Sequence, residues 1–152
     1  MPLYLVRHAK AGSRSGWVGP DETRPISKSG REQTQALTRM LAEWPVRRIL
    51  SSPYVRCLET MQPLATKLGL PVELVPALAE GHDPREVIEL MASLPDHSVL
   101  CTHGDIVTGV IETLARRGMA IDNEPDWRKG VTWVIERDGD EFIRARVIPP
   151  PA

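Results

Sequence analysis

Arg7 and His8 stand side by side at the end of the apolar run Leu3 to Val6, and Arg56, Glu80, His103 and Asp105 follow at wide intervals along the chain. These six are two histidines, two arginines and two carboxylates. A guanidinium offers planar paired donors that match phosphate oxygens and keeps its charge at any working pH, so two of them suit an anion pocket. A neutral imidazole is a competent nucleophile, and covalent catalysis divides a hard displacement into two easier ones. Phosphoryl transfer then needs positioning and charge stabilisation, which cations supply, and a proton for the departing oxygen, which Glu80 or Asp105 could deliver. The set suits the transfer of a phosphoryl group through His8.

Whether these residues meet depends on the elements that carry them. Short β-rich segments alternate with longer segments of helical period, the pattern of an α/β domain with a largely parallel sheet. The expected strands are Leu3 to Arg7, Arg47 to Ser51, Val72 to Val75, Ser98 to Thr102, Val131 to Ile135 and Phe142 to Val147. The last two read as a hairpin around Asp138, Gly139 and Asp140. One helical stripe runs through Ala36, Leu37, Met40, Leu41 and Trp44 until Pro45. Ser52 and Pro53 read as the N-cap and first residue of a helix reaching toward Gly69, with Pro63 expected to kink or split it. Asp83, Pro84 and Glu86 resemble a capping box, and the stripe from Ile106 to Ala115 ends in Arg116, Arg117 and Gly118. In open α/β sheets ligands bind beyond the carboxyl ends of the strands. Arg7 and His8 follow the first strand, Arg56 opens the helix after the second, Glu80 follows the third, and His103 and Asp105 follow the fourth. Convergence of all six on one edge is the evidence for a site. An arginine in a first helical turn also faces the positive helix end, which is unfavourable unless an anion compensates.

Composition limits the alternatives. The chain has 152 residues, 41% hydrophobic and 26% charged, with a net charge of -1. One domain over residues 1 to 152 is expected, without general attraction for a nucleic-acid polymer or a membrane surface. No apolar run approaches the roughly 20 residues of a membrane helix, and two cysteines, Cys57 and Cys101, are too few for a disulfide framework. A cytoplasmic protein is expected. A thiol phosphatase needs Arg six positions after Cys, where this chain has Pro63 and Val107, and no GxxxxGK[ST] phosphate loop is present. His8, His103, Glu80 and Asp105 would be the ligands of a metal hydrolase, but the adjacent arginines would repel a divalent cation, so neither metal nor cofactor is expected. A non-catalytic phosphate-binding protein stays open. Lys10, Arg14 and Trp17 form a basic loop with one aromatic, which either contacts substrate or lies exposed. His82 and His97 read as surface residues, and Asp105 as acid or helix cap.

The residues resemble those of the histidine phosphatase superfamily, which includes the cofactor-dependent phosphoglycerate mutases. Leu5, Val6, Arg7, His8 is similar to its first motif, Ser51, Ser52, Pro53 with Arg56 and Thr60 to its second, and Thr102, His103, Gly104 to its third. The similarity extends to Arg24, Pro25, Gly30, Lys129, Gly130, Val131 and Trp133, and is nearest to the small bacterial phosphohistidine phosphatases and the similar domain appended to some Nudix hydrolases. The resemblance implies a three-layer α/β/α sandwich. It also implies that His8 becomes phosphohistidine, that Arg7, Arg56 and His103 form the phosphate pocket, and that Glu80 holds the acid position. Ala9 replaces the usual glycine, an obstacle to close backbone approach. The short stretch between the third and fourth strands lacks the insert that covers the substrate in the mutases, so a phosphatase with an open cleft is favoured over a mutase. Its substrate would be a phosphorylated small molecule, a nucleotide or a phosphohistidine protein.

Overall fold

Pro2–Arg7 is apolar at almost every position, the pattern of a strand covered on both faces. The computed structural model, which describes residues 1–151, places it as β1 within a seven-stranded sheet. The other strands are β2 (Arg48–Ser51), β3 (Val72–Leu74), β4 (Ser98–Thr102), β5 (Ala120–Ile121), β6 (Thr132–Asp138) and β7 (Glu141–Ile148), in the order β3-β2-β4-β1-β6-β7-β5. The run β3-β2-β4-β1 is parallel, β6 is antiparallel to both β1 and β7, and β5 adds parallel to β7. The expected mostly parallel sheet and closing hairpin are both present. The hairpin turns on Gly139, whose φ of 61° lies in the left-handed region.

Four helices cover the two faces: α1 (Lys28–Leu41), α2 (Val55–Leu68), α3 (Pro84–Ser93) and α4 (Gly104–Arg116). Side chains alternate across β1, so Tyr4 and Val6 join Leu37, Leu41, Met61 and Leu64 beneath α1 and α2. Leu3 and Leu5 join Val87, Met91, Val110 and Ile111 beneath α3 and α4. The sandwich has three layers, as expected.

The topology creates one crevice. β1 and β4 are parallel neighbours, yet the helices that follow them lie on opposite faces, so their carboxyl ends flank a topological switch point. The last paired residues there are Arg7 and Thr102, which brings His8 and His103 next to one another just beyond the sheet.

Three local expectations change. The two residues of β5 are too few to carry a period, and its pairing with β7 was not foreseen. The helix expected from Ser52 begins at Val55 with Tyr54 as N-cap, although the Ser52 hydroxyl still accepts the Tyr54 N–H at 3.2 Å. Pro63 does not split α2, which runs unbroken through it with the proline on the exposed side. Among the described residues no helix is long and apolar enough to cross a membrane.

α1 is capped by Ser27, which accepts the Gly30 N–H at 3.1 Å, and is pressed against the loop that follows β1. A Cβ on Gly30 would lie 1.9 Å from the Lys10 carbonyl oxygen. Gly30→Ala is therefore expected to destabilise the fold by about 1–3 kcal/mol, the range for an overpacked contact that forces backbone to move. An unchanged urea midpoint would contradict this packing.

Candidate active site

The alternation of β1 aims Arg7 toward α4 and His8 toward α2. A Cβ on Gly104, the first residue of α4, would lie 2.7 Å from Arg7 Cζ, so the glycine is what lets the guanidinium rest on the helix end. The carbonyl of Trp127 accepts from Arg7 Nη1, and Trp127 is itself stacked on the buried Trp133 at 5.2 Å between ring centroids. His8 Nδ1 lies 2.8 Å from the Ala9 carbonyl oxygen. A carbonyl only accepts, so Nδ1 carries the hydrogen and Nε2 keeps a free lone pair. Burial, with the charges of Arg56 and Arg7 beside it, outweighs that hydrogen bond and pulls His8 down to about 3, leaving a neutral imidazole. Ala9 fits without difficulty: it is fully buried, its φ is negative, and its N–H donates to Thr60 Oγ1 at 3.0 Å.

The rings of His8 and His103 meet edge to face at 5.5 Å between centroids. His103 Nε2 lies 2.8 Å from Ser52 Oγ and 3.6 Å from Cys57 Sγ, so Cys57 lines the site as well as the core. Arg56 is in the first turn of α2, as expected, with only 1% of its surface exposed. Three polar atoms of the site are buried without a protein partner: Arg7 Nε, Arg56 Nε and His103 Nδ1. Such groups cost free energy while they stay unpaired.

Five cations, Arg7, Arg14, Arg24, Arg56 and Lys129, line a cavity of 280 Å³ together with His8. Their crowding bears on Lys129, whose ammonium is held below its ordinary value by burial and by the charges of Arg7, Arg24, Arg56 and Arg14. Two carboxylates offset them. Asp21 binds Arg24 Nε at 3.0 Å and Arg56 Nη2 at 3.1 Å, and its backbone carbonyl accepts from Arg56 Nη1 at 2.9 Å. Burial pushes Asp21 up, but the hydrogen bonds of Arg24 and Arg56 and the charge of Arg14 outweigh it and hold the carboxyl below its usual range. Glu80 reaches Arg14 at 3.2 Å and Arg56 at 3.5 Å.

The sheet edge brings together Arg7, His8, Arg56, Glu80 and His103, and the following loop adds Arg14. Lys10 and Trp17 lie outside this cavity. Lys10 lines a separate groove with Lys129, and the Trp17 indole donates to the Pro20 carbonyl at 3.0 Å beside a small hollow. Asp105 does not cap its helix: Oδ2 accepts the Gly81 N–H at 2.8 Å and so anchors the loop that carries Glu80. Together with Arg7 and Glu80 it lines an open groove along α4. His82 is exposed as expected, whereas His97 is half-buried and bonded to Tyr4 Oη at 2.9 Å. Among the described residues no three His, Cys, Asp or Glu side chains gather as metal ligands. Asp21 was not foreseen. Gln33 was missed too: it accepts the Lys10 N–H and donates to the Lys129 carbonyl, clamping the two loops that flank Arg7. A buried glutamine in an amphipathic helix is a legible oddity, but its partners are not.

Residues 3–85 match the histidine phosphatase superfamily (branch 1), and the chain belongs to that superfamily. It is 33% identical over 155 residues to the 8-oxo-(d)GTP phosphatase of Mycolicibacterium smegmatis, covering 98% of this chain and 48% of that one. The chain thus spans about half the length of this curated relative. Among solved structures it resembles the protein histidine phosphatase SixA complexed with tungstate, with a TM-score of 0.72 at 18% identity over 97% of this chain and 94% of that one. It also resembles the mycobacterial glucosyl-3-phosphoglycerate phosphatase complexed with inorganic phosphate, with a TM-score of 0.69 at 18% identity over 99% and 97%. The fold is phosphoglycerate mutase-like.

A buried neutral histidine also marks the stability curve. Between pH 6.5 and about 3 the unfolded chain binds a proton at His8 that the folded chain does not, so stability falls as pH is lowered through that window. The slope from this one group approaches about 1.4 kcal/mol per pH unit. His8→Ala should flatten the dependence of the urea midpoint between pH 6.5 and 4.5, and an unchanged slope would show that His8 takes up its proton in the folded state.

Proposed function

We propose that this chain, folded as one domain over residues 1–152, is a metal-independent phosphatase that passes a phosphoryl group through His8 to water. The observation that carries the reading is the set of three buried, unpartnered polar atoms, Arg7 Nε, Arg56 Nε and His103 Nδ1, beside an imidazole whose Nε2 is free. Nε2 attacks phosphorus, and the new N–P bond forms as phosphorus parts from the leaving group's oxygen, or from the ring nitrogen of a phosphohistidine protein. The departing atom takes the electron pair and a proton from Glu80. Water then attacks phosphorus, Glu80 takes its proton, and the N–P electron pair returns to Nε2. The cations hold the equatorial oxygens throughout, and their electrostatic preorganisation does the work for which other phosphatases use a metal.

Hydrolysis is favoured over transfer to a second substrate because only a short 3₁₀ turn and α3 separate β3 from β4, which leaves the groove beside Glu80 open to water. The unit recognised is a terminal phosphoryl group, on a small molecule, a nucleotide or a phosphohistidine protein. The named activities of the relatives span this range. The reading places the protein in the cytoplasm, where the free thiols of Cys57 and Cys101 stay reduced.

Rapid quench with labelled substrate should trap an acid-labile, base-stable phosphoenzyme that His8→Ala abolishes. Label that persists in that variant, or that survives acid, would assign the nucleophile elsewhere. Arg7→Ala, Arg56→Ala and His103→Ala should each lower kcat/KM by about 10²-fold or more, non-additively, and EDTA should leave the wild-type rate unchanged.

The general acid is tested by leaving group. Glu80→Gln should slow phosphoenzyme formation from an alkyl phosphate by roughly 10²- to 10⁴-fold and barely affect an aryl phosphate whose phenol leaves unaided. Asp105→Asn should act smaller and equally on both, since it holds the Glu80 loop. The reverse pattern would make Asp105 the acid.

A further inference from the structure

Ser52 is fully buried, and its hydroxyl has two partners. Oγ accepts the Tyr54 N–H at 3.2 Å and lies 2.8 Å from His103 Nε2. Among the described residues no other group is bonded to it. A hydroxyl has one hydrogen to give, and a buried hydrogen without an acceptor costs free energy. If His103 Nε2 donated to Ser52, the hydroxyl hydrogen would have nowhere to go. If Ser52 donates to Nε2, every Ser52 bond is satisfied, and the imidazole hydrogen falls on Nδ1, the ring nitrogen that is buried without a protein partner.

We propose that Ser52 is a positioning residue that fixes His103 as its Nδ1–H tautomer, so that the free ring nitrogen donates to a phosphoryl oxygen. The proposal rests on the reading of His103 as part of the phosphate pocket. With the other tautomer a lone pair would face the oxyanion, and the contact would be repulsive. The backbone bonds from Ser52 N–H to the Cys101 carbonyl and from Tyr54 N–H to Oγ hold the hydroxyl in place at the end of β2.

Cys57 is the competitor for the proton on Nε2. Burial raises its thiol, but with His103 as donor, hydrogen bonds with Cys101 and His103 and the charges of His103 and Arg56 would outweigh this and draw it to about 6. A hydrogen bond from His103 lowers a thiol only while Nε2 is the donor. Once Ser52 makes Nε2 an acceptor that pull is lost, and burial favours the neutral thiol. At 3.6 Å the sulfur is also the more distant partner.

Two measurements decide the matter. The ¹⁵N shifts of His103 in labelled wild-type protein saturated with inorganic phosphate should show a hydrogen on Nδ1 and a bare Nε2 bonded to a hydroxyl. A neutral ring with its hydrogen on Nε2, or a ring protonated at both nitrogens, would overturn the proposal. This reading needs no substitution, so it stands even if Ser52→Ala fails to fold.

The second is a double-mutant cycle in kcat/KM. Ser52→Ala should lower it about 10-fold, the scale of one lost hydrogen bond in a buried site, and should cost less than about twofold in a His103→Ala background. An equal loss in both backgrounds would make Ser52 merely structural. If His103→Ala itself kept wild-type kcat/KM, the phosphate-pocket reading would fail first, whereas an impaired His103→Ala beside an indifferent Ser52→Ala would remove this proposal alone.

Discussion

Five cationic side chains around a cavity of 280 Å³ repel one another, and in a half-buried setting that repulsion is only partly screened by water. The surrounding fold is arranged to hold this charge. The Asp21 carboxylate is shared among Arg24, Arg56 and Arg14, and Glu80 bridges Arg14 and Arg56 from the other side. Gly104 gives the Arg7 guanidinium room on the end of α4, and the Trp127 carbonyl holds its far side. What these contacts leave over is directional: one buried nitrogen–hydrogen bond on each of two guanidiniums and one nitrogen of His103, unmatched by any protein acceptor. A site that pairs part of its charge internally and leaves the rest free is preorganised for an anion, because little has to move when one arrives.

Burial first, and the same charge second, set the state of the proposed nucleophile. His8 would become an imidazolium in water at mildly acidic pH, and as a cation it could not attack phosphorus. Burial and its cationic neighbours prevent this, and the Ala9 carbonyl fixes the hydrogen on Nδ1, away from the reacting nitrogen. On the proposed reading, one buried cationic environment both receives the phosphoryl group and keeps His8 neutral.

Much of this was legible in the sequence, for a topological reason. Residues at the carboxyl ends of parallel strands converge whatever the details of packing, so Arg7, His8, Arg56, Glu80 and His103 could be brought together from strand order alone. Fully buried strands also announce themselves by continuous apolar runs, and β1 and β4 were foreseen nearly to the residue. Asp21 could not be found that way. It lies in a loop without period, and its value comes from three arginines distant in sequence. Ser52 had the sequence of a helix cap and does accept the Tyr54 N–H, but the regular helix starts at Val55. The second partner of the hydroxyl, His103, lies too far along the chain to be read from a local pattern. Asp105 had the position of a cap and bonds Gly81 instead. Lys10 and Trp17 show the limit for loops, since charge and aromaticity indicate no direction and neither side chain lines the cavity.

The central claim is that the unmatched polar atoms and His8 Nε2 together form a cradle for a phosphoryl group in flight. A crystal structure of the protein with orthovanadate tests it directly. The account predicts vanadium within bonding distance of His8 Nε2, with its oxygens on Arg7 Nε, Arg56 Nε and His103 Nδ1. Vanadate bound instead in the groove between Lys10 and Lys129, with the His8 ring untouched and the three polar atoms still unmatched, would contradict it.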